Sequence, residues 1–405
     1  MTQQVISATM PEGMMDTPNK VYFPGLNGLR FLAALAVIIT HIELIKGQLN
    51  VPNIWSNPLF FNLGGLGVYF FFVLSGFLIT YLLLAEKKQF KKIDIKAFYI
   101  RRILRIWPIY YLLIFLGFFV FPNIPFLKID WLSSHQGPFL FTFLANLFML
   151  PNLALAAYNA VPHIGQAWSI GVEEQFYLIW PLLVSRSRNV LKTAVLTATI
   201  LVVFKCGVLL LMGHYPGNET IITLRKFVAM SKIECMAIGA AGAYFAFHKN
   251  QNILNLVFHP LVQLISYAII PVLIYFTPDR IQDGIHLVYS FAFLVIIMNV
   301  ALNPSSFLKL ENKILDFLGR ISYGIYMYHL VIIVFVIRLY ALFFPAAPDS
   351  PVANVIYYLG ATGFTILVSW LSNRYFEKWF LKRKLSFVKI PSGDETKEPE
   401  VARAR

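Results

Sequence analysis

Charge is the scarcest property of this chain. Of 405 residues only 13% are Asp, Glu, Lys or Arg, against 58% hydrophobic, and the mean hydropathy is +0.66. A soluble domain carries about 25% charge, so the composition excludes an ordinary soluble enzyme and points to a polytopic membrane protein. Cysteine is nearly absent as well. Cys206 and Cys235 both lie in apolar segments and read as two buried thiols. That leaves no disulfide framework and no Cys/His cluster with zinc spacing, so no metal is expected. Residues 1–20 also lack the apolar core of a cleavable signal peptide, so the first span is expected to serve as the targeting signal.

The charge that is present is lopsided. Lys and Arg number 34 against 20 Asp and Glu, for a net +14 and a pI near 9.6. On a soluble chain this balance would suggest nucleic acid. In a membrane protein it fits basic cytoplasmic loops, and no nucleic-acid partner is expected. Apolar runs long enough to cross a bilayer occur near 26–45, 63–84, 103–122, 168–185, 193–213, 228–247, 256–276, 285–303, 321–343 and 354–375. The run 139–150 is shorter. If it crossed, the basic stretches 186–192 and 382–384 would fall outside. If it is re-entrant or interfacial, both fall inside with the loops 85–102 and 304–320. The charge rule therefore predicts an all-α polytopic bundle of about ten transmembrane helices plus that short segment, with both termini cytoplasmic. Residues 1–20 are expected to form a polar cytoplasmic N-terminus, 21–384 one membrane domain, and 385–405 a polar cytoplasmic tail that is disordered, its charged composition running over 389–405. The sequon at Asn218 reads as a chance match.

Against this apolar background a few polar residues stand out. Arg30 and His41 lie eleven residues apart in the first run. On a helix that is three turns plus about 20°, so both point the same way, roughly 16 Å apart along the axis. An arginine in a span costs about 2.5 kcal/mol or more, which marks the pair as functional. Ser75-Gly76 in the second run reads as a small-residue pair for close helix approach. Arg102 and Arg105 share a helix face after the basic loop. They serve either as cytoplasmic anchors or as guanidinium forks for phosphate, and Arg105 lies past the interface. Glu173 and Glu174 open an aromatic-rich span. One can cap the helix, and a second is available to orient a histidine or act as acid or base. Lys205, Lys232 and Glu234 read as a structural charge cluster. His329 among tyrosines reads as an interfacial anchor.

Taken in order, these residues resemble the acyltransferase-3 family of bacterial integral-membrane acyltransferases, which includes O-antigen and other glycan O-acetyltransferases. The likeness runs from about Pro24 to Phe380. It rests on Gly28-Leu-Arg30 with Arg-x10-His ending at His41, on Phe-Phe-Val-Leu-Ser75-Gly76-Phe, on Arg102-x-x-Arg105 followed by Trp107-Pro108 and Tyr110, and on Trp168-Ser-Ile-Gly-Val-Glu173-Glu-Gln-Phe-Tyr177. A late Gly319-Arg320-Ile-Ser322-Tyr323-Gly324-Ile-Tyr-x-x-His329 also fits. Asn27 stands where the family often has Asp, Gly171 replaces a common Ser, and the soluble esterase-like domain that some members carry is not expected here.

The resemblance implies a transferase moving an acyl group, commonly acetyl, from a cytoplasmic acyl-CoA to a hydroxyl of a carbohydrate or glycolipid of the cell envelope. This O-acetylation would take place at the bacterial inner membrane. Acetyl-CoA would be a donor substrate rather than a bound cofactor, and separate envelope-biosynthesis proteins are possible partners. His41 is the candidate general base, with Glu173 to hold it in the right tautomer. Arg30, Arg102 and Arg105 are assigned to the donor phosphates, and Trp168, Glu174 and Tyr177 to substrate. Direct transfer is favoured over a covalent acyl-protein route, since no activated Ser or Cys is evident. The rivals are a proton-coupled transporter or flippase for a glycan or lipid-linked substrate, against which the lack of an inverted repeat counts, and a non-catalytic scaffold, which leaves the buried charges unexplained.

Overall fold

The computed structural model describes residues 21–130, 137–276 and 282–393. Among them the protein is all-helical. The one pairing of extended backbone is an isolated parallel bridge between Val21 and Ser392. The long helices follow the apolar runs: α1 (Leu26–Gln48), α2 (Pro58–Phe90) and α3 (Ile95–Phe115) come first. After two short helices, α4 (Phe139–Leu147) and α5 (Pro151–Ala157), come α6 (Ala167–Arg186), α7 (Val190–His214), α8 (Glu219–Met230) and α9 (Ile233–Phe247). Then follow α10 (Gln251–Phe258), α11 (Pro260–Phe276), α12 (Gln282–Leu302), α13 (Lys313–Arg320) and α14 (Ser322–Phe343). A last rod, Pro351–Leu385, consists of α15 (Pro351–Val355), α16 (Ala361–Ser372) and α17 (Lys378–Leu385), joined by two π-helical turns.

Seven of these helices are long and apolar enough to cross a membrane, or eight if α10 and α11, bent by 59°, form one span. The remaining two of the ten predicted runs also lie on helices, with physical reasons for falling short. α6 carries Glu173, Glu174 and Arg186. α9 has 15 residues, about 22 Å, and the run that feeds it breaks at Ser231 and Lys232. The chain is a multi-pass membrane protein.

Polar contacts gather many helix ends at one end of the bundle. The Lys87 ammonium donates to the carbonyls of Val184, Ser185 and Ser187 at 3.0, 3.1 and 2.8 Å, tying the end of α2 to the end of α6. Arg101 donates to the Phe387 carbonyl at 2.8 Å, and Lys389 pairs with Asp94 at 3.5 Å. Asp94 caps α3 by accepting from the Ala97 N–H at 2.9 Å, and that bond holds its carboxyl below the usual carboxylate range. Since α3 leaves this end and α6 returns to it, the stretch between them adds no crossing. α4, nine residues or about 13 Å, is too short to add one.

The tail departs from expectation at its start. Val21 N–H donates to the Pro391 carbonyl at 2.9 Å, and Val388 is buried. Residues 386–393 are thus packed on the bundle rather than detached from it, because Arg101 and Val21 take up their carbonyls. The rest of the expected tail, 394–405, and the expected N-terminal segment, 1–20, lie outside the described residues.

The core runs along α1, α2, α9 and α14, where Val37, Ile38, Val73, Phe77, Ile325 and Ile333 are fully buried. α7 is the opposite, with Leu196, Ile200, Val203 and Phe204 exposed, as a helix facing lipid should be. Cys206 is exposed on it, contrary to the sequence reading, whereas Cys235 is buried. Two buried carboxylates, Glu43 and Glu234, are paired with lysines. Lys46 sits on Glu43 at 2.9 Å, and the same carboxylate takes Tyr358 Oη at 2.7 Å. Glu234 bonds Lys205, and His286 Nε2 lies 2.6 Å from the same oxygen. Glu234, Cys235 and His286 offer ligand atoms within 4.8 Å of one another, but the Lys205 ammonium already supplies the cation there.

α2 and α9 approach so closely that a Cβ on Gly76 would overlap the Met236 carbonyl oxygen, and one on Gly239 the Val73 carbonyl oxygen. This is the close approach that Ser75-Gly76 suggested. Overpacking costs about 1–3 kcal/mol or more, and backbone cannot step aside as a side chain can. We therefore expect Gly76→Val to cut the yield of monodisperse protein severely on fluorescence-detected size exclusion. Gly213→Ala, where nothing lies within 4 Å, should leave it unchanged. A normal Gly76→Val profile would show that the two helices can separate.

Candidate active site

A cavity of about 750 Å³ opens at the end where the polar ties gather. Helical spacing explains its walls. α2 presents Glu86, Leu82, Ile79, Ser75 and Phe71 to it, one face in steps of three and four, which is about 22 Å of helix. α3 presents Phe98, Arg102 and Arg105, and α6 presents Ser169, Glu173 and Tyr177. α14 adds Tyr323 and Tyr326, and the last rod adds Arg374, Lys378 and Lys382. Nine Lys and Arg side chains line the cavity against two carboxylates, Glu86 and Glu173. Such a surplus in a low-dielectric recess focuses a field that attracts anions.

Arg30, Arg102 and Arg105, assigned to phosphate from the sequence, all line this cavity. Arg30 is held by Asn27, its Nη1 donating to Asn27 Oδ1 at 2.9 Å, while Asn27 Nδ2 donates to Asp316 at 2.6 Å. The neutral amide therefore bridges a guanidinium and a carboxylate, a role that uses both of its polar atoms. The Arg102 guanidinium lies over the Tyr177 ring at 5.7 Å, and Tyr177 lines the cavity as well. The other two residues assigned to substrate do not. Glu174 faces away and accepts from Trp107 Nε1 at 3.0 Å. Trp168 meets Phe72 edge-on at 6.3 Å. One residue of offset around α6 separates Glu173 in the cavity from Glu174 outside it, about 100° of rotation.

Glu173 does not orient His41. It accepts from Ser75 Oγ at 2.6 Å, inside the cavity. His41 is itself outside the cavity lining, and its ring partner is His329. His41 Nδ1 and His329 Nε2 are 3.0 Å apart, with ring centroids at 4.9 Å. His329 is fully buried, not interfacial, and its Nδ1 lies 2.6 Å from the Tyr326 carbonyl oxygen. Tyr326 closes the inner part of the cavity, its hydroxyl 2.7 Å from Ser169 Oγ and 3.3 Å from the Gln166 carbonyl. The order from the basic end inward is thus arginines, Ser75 with Glu173, Tyr326, and then the histidine pair. Two residues of this arrangement, Ser75 and His329, were read from sequence as packing and anchoring. A signal for His329 was available. Ser322, Tyr326 and His329 are spaced i, i+4, i+7 and share one face of α14.

A family model described as an acyltransferase domain matches residues 23–374. The O-acetyltransferase OatA of Staphylococcus aureus is 29% identical over 338 residues, covering 78% of this chain and 51% of that protein. The putative peptidoglycan O-acetyltransferase YrhL of Bacillus subtilis is 29% identical over 342 residues, 78% of this chain and 50% of that one. A further putative O-acetyltransferase of Staphylococcus aureus is 26% identical over 381 residues, 89% of this chain and 58% of that one. The chain thus spans about half the length of the curated relatives it matches. No solved structure matches.

Proposed function

The chain belongs to the acyltransferase domain family, and from that premise we propose that it is an O-acyltransferase of the bacterial inner membrane. It moves an acyl group, acetyl by the names of its relatives, from acyl-CoA to a hydroxyl of a cell-envelope carbohydrate or glycolipid. The observation that carries this reading is the basic cavity leading from one end of the bundle toward a histidine pair. By the positive-inside rule the basic end faces the cytoplasm, where acyl-CoA is found, and both termini lie on that side. The donor phosphates bind to Arg30, Arg102 and Arg105, which places the thioester deeper, toward Tyr326.

The acceptor hydroxyl meets the acyl group at the inner end. Its oxygen attacks the thioester carbonyl as the His41 imidazole takes its proton. The tetrahedral intermediate collapses with cleavage of the C–S bond, and the departing CoA sulfur takes the proton back from His41. A well-placed base of this kind contributes about 10²–10⁴-fold. Glu173 acts at the Ser75 hydroxyl on the donor side, since that is the bond it makes.

The test uses the full chain in proteoliposomes with acyl-labelled acetyl-CoA and an envelope glycan fraction as acceptor. Label is expected in the glycan as a base-labile ester. If unmodified glycan instead crosses the vesicle under a proton gradient, with no label transferred, the protein is a flippase and the proposal fails.

A further inference from the structure

We infer that His329 is a positioning residue that fixes which nitrogen of His41 is the base. The inference deepens the reading of His41 given above and rests on it. It follows from three atoms in a row. The Tyr326 carbonyl oxygen can only accept, so His329 Nδ1, at 2.6 Å, carries a hydrogen and donates to it. A neutral imidazole with its hydrogen on Nδ1 has a lone pair on Nε2. His329 Nε2 therefore accepts, and the group it faces at 3.0 Å, His41 Nδ1, is the donor. That leaves Nε2 of His41 as its unprotonated nitrogen, the one atom of the ring able to take a proton from a hydroxyl.

The reversed polarity would require hydrogens on both nitrogens of His329, a full positive charge on a side chain with no exposed surface. Its hydrogen-bond partners are the backbone at Tyr326 and Ile325 and the His41 ring, with no carboxylate among them. A buried cation without a counter-charge is too costly to persist. The carbonyl is held in place because Tyr326 is fixed at its other end by Ser169 and Gln166. The chain of bonds therefore runs from a fixed backbone oxygen, through His329, to His41. This is the orienting role that a carboxylate plays beside a catalytic histidine elsewhere, here filled by a second imidazole that adds no charge to an intramembrane site.

The experiment compares His41→Ala, His329→Leu and His329→Gln in the proteoliposome assay. Each is first matched for detergent-extracted yield and thermal unfolding. His329→Leu keeps apolar bulk but cannot accept from His41. Its kcat is expected to fall by up to about 10²-fold, with the acyl-CoA KM unchanged, since the donor arginines lie on other helices. The glutamine carboxamide can place an oxygen near the old Nε2, so His329→Gln should recover most of that kcat. If His329→Leu keeps normal kcat while His41→Ala is inactive, the positioning role is wrong and the base reading stands. If Leu and Gln are equally impaired at normal stability, acceptance from His41 is not what matters and the inference fails. If His41→Ala itself transfers acyl groups normally, the base reading falls and takes this inference with it.

Discussion

His41→Ala is expected to lower acyl transfer by about 10²–10⁴-fold, the contribution of a positioned general base, with the folded protein still present in the membrane. The fold should survive for a structural reason. His41 is half-buried, and its ring bonds His329 and a backbone group of its own helix at Val37. The packing of α1 rests instead on Val37, Ile38 and Ile42, which are fully buried, and on the Glu43–Lys46 pair one turn further on. Each neutral hydrogen bond lost costs about 0.5–1.5 kcal/mol, small against the stability of the bundle. The acyl-CoA KM should change little, because the arginines sit on the far side of Tyr326. The measurement is initial-rate kinetics on protein matched for yield. Wild-type kcat in His41→Ala would remove the imidazole from the chemistry.

The second large effect is expected on donor binding. Arg102→Ala with Arg105→Ala should raise the acyl-CoA KM strongly and leave the acceptor KM nearly unchanged. A hydrogen bond to a charged group contributes about 1.5–3 kcal/mol, or about tenfold to a hundredfold per lost arginine. Two arginines that share one polyanion need not add. The wild-type KM should rise with salt and the double variant's less so, because fewer charges remain to be screened. Arg105→Lys is informative beside them. It keeps the charge but loses the planar fork, so it should fall between wild type and alanine if the phosphate is held bidentately. A double variant that changes only acceptor affinity would move the donor site out of this cavity. Isothermal titration with CoA, which lacks the acyl group, separates binding from chemistry.

Much of the architecture was legible because lipid imposes a simple rule. A span must bury its own backbone polar groups, so it is helical, and it must be long and apolar. Loop charge then decided that the short stretch at 139–150 does not cross, and the ties between α2 and α6 agree. The limits of the rule show at α9. There the run continued in composition, but the helix broke at Ser231 and Lys232. Periodicity also put Arg102 and Arg105 on one face, and both meet Arg30 in one cavity; it put His41 on the face of Arg30, but His41 lies outside that cavity. It did not distinguish Glu173 from Glu174, because adjacent carboxylates are equivalent until a neighbouring helix takes one side. The same applies to Ser75, whose small size suited packing and whose hydroxyl also meets Glu173.

The sequence by itself determined the membrane class, the helical content, the arginine cluster and the family. Each of these depends on residues near one another along the chain, where helix geometry fixes their relation. Only the tertiary structure decided which polar group faces which. His41 and His329 are 288 residues apart, and Ser75 and Glu173 are 98 apart. A 3.6-residue period states which side chains share a face of their own helix. It carries no information on which helix stands opposite, or at what height. That choice comes from packing, where Gly76 and Gly239 let α2 and α9 touch, and where α1 lies against α14 so that two imidazoles come within hydrogen-bond distance.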